Sequence, residues 1–225
     1  MTNRNKFVFL SLFILLVFFV GIIIFVNKKT NDSQSISRVK QSTNRKQIIK
    51  QEEKQYRVVN YPTPNIDRKK KNTVEGVILH HTAEPTIERS LEVLTSLKKR
   101  VGTHCVIDTD GTRYIMCNPE VVTFHAGYSL LNGKEGCNNF TIGIEFQGNT
   151  LVAPLTQDQI DSAIDYLLPI LKKYNIPISN VVTHEMIRQA YKEKYPQKRC
   201  SGKVDITQTE YKRFMKSLKK AYDNN

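Results

Sequence analysis

Hydrophobic and polar positions along this chain change period several times, and each change marks an element. Val74 to His81 reads as a strand whose apolar run, Val77-Ile-Leu79, ends in two histidines, the pattern of a buried strand delivering an imidazole to a sheet edge. Thr86 to Arg100 sets Ile87, Leu91, Leu94 and Leu97 at helical spacing, which predicts an amphipathic helix. Val101 to Cys117 reads as a hairpin turning at Asp108-Thr-Asp-Gly111, and Thr141 to Phe146 as an apolar central strand. Thr156 and Gln159 match a capping box ahead of Ile160, Ile164, Leu167 and Leu171, so a long helix should run to about Tyr174, with a kink at Pro169. A short strand ends at His184, and Thr207 with Glu210 caps a last helix bearing Tyr211, Phe214 and Leu218. Strands and helices alternate loosely around one hairpin. The expected fold is therefore α/β, a central mixed β-sheet flanked by helices.

The N-terminal third follows another pattern. Phe7 to Val26 carries no charge over a length that suffices to cross a bilayer as a helix, and Arg4 and Lys6 precede it. No small-x-small pair follows Val26, so the segment reads as an uncleaved transmembrane signal anchor. Asn27 to Asn72 is rich in Gln, Ser, Asn and Lys without a core pattern, which predicts a flexible linker. The expected domains are thus an anchor at 1–26, a basic linker at 27–72 and a catalytic domain at 73–225.

Charge sharpens this division. Of the net +13, the linker supplies +9, from thirteen basic against four acidic residues, and Arg4 with Lys6 supplies +2. The remaining +2 belongs to residues 73–225, so the folded domain is nearly neutral. Nucleic-acid binding is not expected, because the basic residues lie in a coreless segment without interleaved aromatics. An anionic surface such as lipid headgroups or wall polymers is the natural partner of such a tether. Basic residues flank the apolar segment on both sides, so charge alone does not orient it.

Candidate chemistry gathers at the strand ends. His80, Glu145 and His184 each close an apolar run, and Cys200 follows in a polar loop. Two imidazoles and a thiolate would fill three positions around zinc and leave a fourth for water. Such a metal acidifies water and polarises a carbonyl, a nearby carboxylate such as Glu145 would take the proton, and a cation such as Lys198 would stabilise the oxyanion. Spacing alone does not separate this set from scattered ordinary histidines. Adjacent strand residues face opposite ways, so His81 should not share the site. Cys105 and Cys117 flank the hairpin, where a disulfide is sterically open, and Cys137 reads as a small buried hydrophobe.

Four stretches carry a resemblance: Val-Ile-Leu-His80-His81-Thr-Ala, Thr103-His-Cys-Val-Ile-Asp-Thr-Asp-Gly-Thr112, Phe124-His-Ala-Gly127 and Cys137-Asn-Asn-Phe-Thr-Ile-Gly-Ile-Glu-Phe-Gln-Gly148. In this order they resemble the zinc-dependent N-acetylmuramoyl-L-alanine amidases, a family that also includes phage amidase lysozymes and peptidoglycan recognition proteins. The likeness spans about residues 74 to 220 and leans toward the anhydromuramyl-peptide amidase branch. It implies hydrolysis of the amide between N-acetylmuramic acid and L-alanine, in peptidoglycan or muropeptides, by a catalytic domain held outside the cytoplasmic membrane. It implies His80, His184 and Cys200 as zinc ligands, the third ligand being Cys or Asp in the family. It further implies Glu145 as the catalytic acid-base residue and Lys198, two positions before the third ligand, as the carbonyl-contacting cation. His104, His125 and Asn139 resemble substrate-contacting cleft positions, and Thr103 stands where other branches carry tyrosine. The interval Glu185 to Gln197 is longer than the family pattern, which leaves Arg199 and Lys203 as alternative cations. Two other readings stay open, a peptidoglycan-recognition module that does not cut and a zinc amidase or peptidase for a different wall amide.

Overall fold

In the computed structural model the described residues are 54–198, 200 and 205–224. Ten strands alternate with four helices: β1 Val58–Asn60, β2 Ile66–Lys71, β3 Gly76–His81, α1 Ile87–Thr95, β4 Cys105–Ile107, β5 Arg113–Ile115, β6 Val121–Thr123, β7 Leu130–Leu131, β8 Lys134–Glu135, β9 Thr141–Phe146, α2 Gln157–Lys173, β10 Val181–Thr183, α3 His184–Lys194 and α4 Gln208–Asp223. Six strands form the central sheet in the order β1-β5-β4-β9-β3-β10, and β2 pairs with β6 in a separate ribbon. Only the β4–β5 hairpin is antiparallel, so the sheet is mixed as the alternating pattern predicts.

Strand alternation sorts the core onto two faces. Val77, Leu79, Ile142, Ile144 and Phe146 meet Ile160, Leu167 and Leu171 of α2 and Phe214 and Leu218 of α4. On the opposite face Ile78 and Val182 pack with Phe140 and with Ile187 of α3, while Leu91 and Leu94 of α1 cover Val106 and Met116. Between these two smaller clusters, above the carboxyl ends of parallel strands β3 and β9, lies the cleft, which is where open α/β sheets place their ligands.

Several boundaries differ from the sequence expectation. The domain begins near Tyr56 rather than at residue 73. β1 adds a parallel edge to the sheet, and Asn65 and Asn72 are buried, so the last part of the presumed linker is folded. These strands are short and their residues largely exposed, which erases the alternation that would have marked them. Helix α1 stops at Thr95 because Asn65 Nδ2 caps the carbonyls of Leu94 and Ser96, both at 3.1 Å, and Leu97 lies outside it, 70% exposed. The interval Glu185 to Gln197, longer than the family pattern, is taken up mostly by helix α3. Helix α2 continues through Pro169 as one element. Cys105 and Cys117 are free thiols, Cys105 facing the core in β4 and Cys117 lying beyond the end of β5. The uncharged segment 7–26 lies outside the described residues, and among those described no helix is long and apolar enough to cross a membrane.

Candidate metal centre and cleft

Three side chains from distant parts of the chain converge at the cleft floor. His80 ends the apolar part of β3, His184 is the first residue of α3 directly after β10, and Asp205 lies just before α4, with one ligand atom of each within 4.8 Å of the others. Parallel pairing of β10 with β3 brings the two histidines together, their ring centroids 4.9 Å apart.

Hydrogen bonds fix which nitrogens face inward. His184 Nε2 lies 3.2 Å from the Ala126 carbonyl, which only accepts, so Nε2 carries the hydrogen and Nδ1 turns its lone pair to Asp205 Oδ2 at 2.5 Å. His80 Nε2 is 3.2 Å from His125 Nδ1, His125 Nε2 is 3.5 Å from Thr141 Oγ1, and Thr141 Oγ1 donates to the Cys137 carbonyl at 2.7 Å. One assignment satisfies this whole series, each group donating to the next, and it leaves His80 Nδ1 as an acceptor 3.8 Å from Asp205 Oδ1.

Asp205 is fully buried and also accepts the His81 backbone N–H at 3.3 Å. Burial by itself disfavours the charged form of such a carboxyl. A carboxylate facing two imidazole lone pairs in a dry pocket needs positive charge between them. Two nitrogens and one oxygen, oriented from behind by His125 and the Ala126 carbonyl, are a donor set that suits zinc, and the residues fit that ion.

The third member of the group is therefore Asp205, not Cys200. The thiol of Cys200 is outside the group, although half-buried. The sequence held a signal for this: Lys203-Val-Asp205 repeats the Lys-x-ligand spacing of Lys198-Arg-Cys200, and spacing could not choose between the copies. The expected cation, Lys198, lies away from this group. Lys198 Nζ donates to Tyr191 Oη at 3.0 Å, lies 4.4 Å from the Tyr195 ring centre and is absent from the cleft lining.

Glu145 sits directly opposite His80 in the β3–β9 register, on the same face, 7% exposed. With His80 and His184 it lines a cleft of about 560 Å³, walled also by Leu94, Tyr128 and Arg188. Arg188, one turn after His184 on α3, went unnoticed in the sequence because that helix did. His125 lines the cleft as expected, with a ring that also orients His80. His104 does not line it: its Nδ1 accepts the Gly143 N–H at 3.0 Å, its Nε2 donates to the Val121 carbonyl at 2.8 Å, and it is fully buried. Asn139 turns its amide to the Gly136 carbonyl, and its neighbour Asn138 lines the cleft instead, holding the His125 and Ala126 N–H groups at 3.0 and 2.7 Å. His81 points to the other face, as alternation requires, and bonds Thr150.

A family profile described as N-acetylmuramoyl-L-alanine amidase matches residues 70–203, more than half of the chain. The chain belongs to this amidase family. Among curated relatives of this amidase-family chain, the 1,6-anhydro-N-acetylmuramyl-L-alanine amidase AmpD of Haemophilus influenzae is 38% identical over 88 residues, covering 38% of this chain and 46% of the relative. The chain thus spans less than half the length of that relative. Among solved structures, a selenomethionine derivative of AmpD superposes with a TM-score of 0.53 at 20% identity, covering 72% of this chain and 94% of that one. The N-acetylmuramoyl-L-alanine amidase LysC from Clostridium intestinale gives 0.52 at 22% identity, covering 73% and 99%. These two likenesses establish the shared fold of the amidase domain.

Proposed function

We propose that this chain is a zinc-dependent hydrolase that cleaves the amide between N-acetylmuramic acid and L-alanine in peptidoglycan or muropeptides. The observation that carries this reading is the His80, His184 and Asp205 group with Glu145 in register one strand away, at the floor of an open cleft of about 560 Å³. His80, His184 and Asp205 would hold the ion, which when bound supplies Lewis acidity that polarises a carbonyl and acidifies water. Glu145 takes a proton from the attacking water on a carboxylate oxygen and returns it to the departing alanine nitrogen as the C–N bond breaks. The products are the lactyl carboxylate and a free amino terminus. The cation two positions before the third ligand is Lys203 once Asp205 takes that place, a residue outside those described. His125 and the Ala126 carbonyl keep the imidazoles in the tautomers the site uses.

The anchored arrangement belongs to the same proposal: the segment at 7–26 holds the domain at the outer side of the cytoplasmic membrane, where its polymer lies, and the basic stretch after it gives reach and affinity for anionic surfaces. The test is mass spectrometry of digests of purified wall. Free stem peptides should be released by the zinc-loaded protein, lost on chelation and restored by zinc, and reduced at least a hundredfold in Glu145→Gln. Zinc bound and muropeptide held, with no peptide released, would establish a recognition module instead.

A further inference from the structure

A second cavity, of about 480 Å³, adjoins the cleft and shares Arg100 and Phe124 with it. Arg68 and Lys69 of β2 form one wall, and Leu97, in the segment after α1, forms another. Arg68, Lys69 and Arg100 are all exposed, and no ion pair joins any of them to another described residue. Their neighbours Lys71 and Arg89 are by contrast paired, Lys71 with Glu120 at 3.2 Å and Arg89 with Glu92 at 2.6 Å. Asp67 is the acidic residue of the lining, and its Oδ1 already accepts the Lys69 backbone N–H at 2.9 Å.

The walls are held in place without a ligand. Asn65 Nδ2 reaches the carbonyls of Leu94, Ser96 and Val101 at 3.1, 3.1 and 2.7 Å, and Thr63 Oγ1 donates to Leu94 O at 2.7 Å. These bonds fasten β2 to the segment after α1 and occupy carbonyls that would otherwise present negative charge. In the β2–β6 ladder Asp67 opposes Val122 and Lys71 opposes Val121, so the residues between them bulge away from β6 and carry Arg68 and Lys69 outward. Pre-set walls reduce the ordering entropy a ligand must overcome.

We propose that this annexe is a subsite for carboxylates on peptide distal to the scissile amide, so that the favoured substrate is a cross-linked or extended acidic peptide rather than a short monomeric stem. The inference rests on the amidase reading, because continuity with the cleft through Arg100 and Phe124 makes the occupant part of the molecule being cut. Guanidinium and ammonium groups recognise carboxylates, and the apolar Leu97, Phe124 and Ile66 suit the aliphatic parts of such a peptide.

The test compares kcat/KM of the zinc-loaded full chain on a cross-linked muropeptide dimer and on a monomer trimmed of its distal carboxylates. The wild type should favour the dimer about tenfold at low salt, and R68E/K69E should abolish that preference through KM, with R68Q/K69Q intermediate. A preference that survives both variants, or equal losses on both substrates, overturns the subsite. If neither substrate is cut, the amidase reading itself falls. The annexe is then judged by NMR titration with the same dimer: amide shifts at Arg68 and Lys69 support it, and their absence overturns it. Poly(glycerol phosphate) binding these residues more tightly than the dimer overturns the peptide assignment in favour of a phosphate polymer.

Discussion

Asp205→Ala should abolish stoichiometric zinc, whereas Cys200→Ser should leave zinc content near one per chain, as read by metal analysis after dialysis. The expectation follows from which side chain meets the imidazoles: the carboxylate touches His184 and the His81 backbone, and the thiol touches neither. The two histidines and Glu145 were legible as residues because each closes an apolar strand, and a strand end is a place that sequence can locate. Their partner was not, because it lies in a loop, where no periodicity fixes the distance between a residue and a sheet edge.

His104 makes a second residue-scale prediction. Burial pushes its imidazole down to about 4, and backbone groups hold it as a neutral acceptor and donor. The unfolded chain binds that proton near the ordinary value of about 6.5, so the contribution is fully present above that pH and is lost as pH falls toward 4. A gap of about 2.5 pKa units corresponds to roughly 3 kcal/mol. Urea unfolding between pH 7 and 4 should show this loss in the wild type, and His104→Gln, whose amide can also accept and donate, should lose correspondingly less over the same interval. Equal slopes would refute the assignment.

At the scale of elements, strand β9 carries a constraint at its centre. A Cβ added to Gly143 would come within 2.7 Å of His125 Cγ and 2.9 Å of Thr103 Oγ1, so Gly143→Ala must displace the ring that holds His80. We expect a destabilisation of about 1–3 kcal/mol by urea unfolding, together with a ten- to hundredfold weaker zinc affinity in competition with a chelator. Unchanged affinity would mean that His125 does not position His80. The elements themselves were read well where burial is deep: Thr141–Phe146 was delimited to the residue, and the Thr156 capping box forms with both bonds in place. Reading failed for α3, whose buried residues, Ile187 and Tyr191, form a single apolar pair within a charged stretch too sparse to register as a stripe.

At the scale of the whole molecule, the domain begins earlier than composition suggests. Residues 56–72 read as linker because their charge continues that of the tether, yet Asn65 and Asn72 bind backbone carbonyls of the folded body. A protein starting at residue 54 should unfold cooperatively, and one starting at residue 73 should lose several kcal/mol or fail to accumulate, since it exposes β5 and strands the carbonyls that Asn65 caps. Circular dichroism melts of the two would decide this. The mixed sheet with helices on both faces was legible from alternation alone, while the sheet's outer edge, short and half wet, was not.

The hydrogen bond between His81 and Asp205 joins residues 124 apart in sequence. A polypeptide cut ahead of Asp205 offers two imidazoles without the carboxylate that completes the trio. A pocket built this way exists only once β3, β10 and the stretch before α4 have met, so its capacity to hold a metal reports the completed fold rather than any one piece of it.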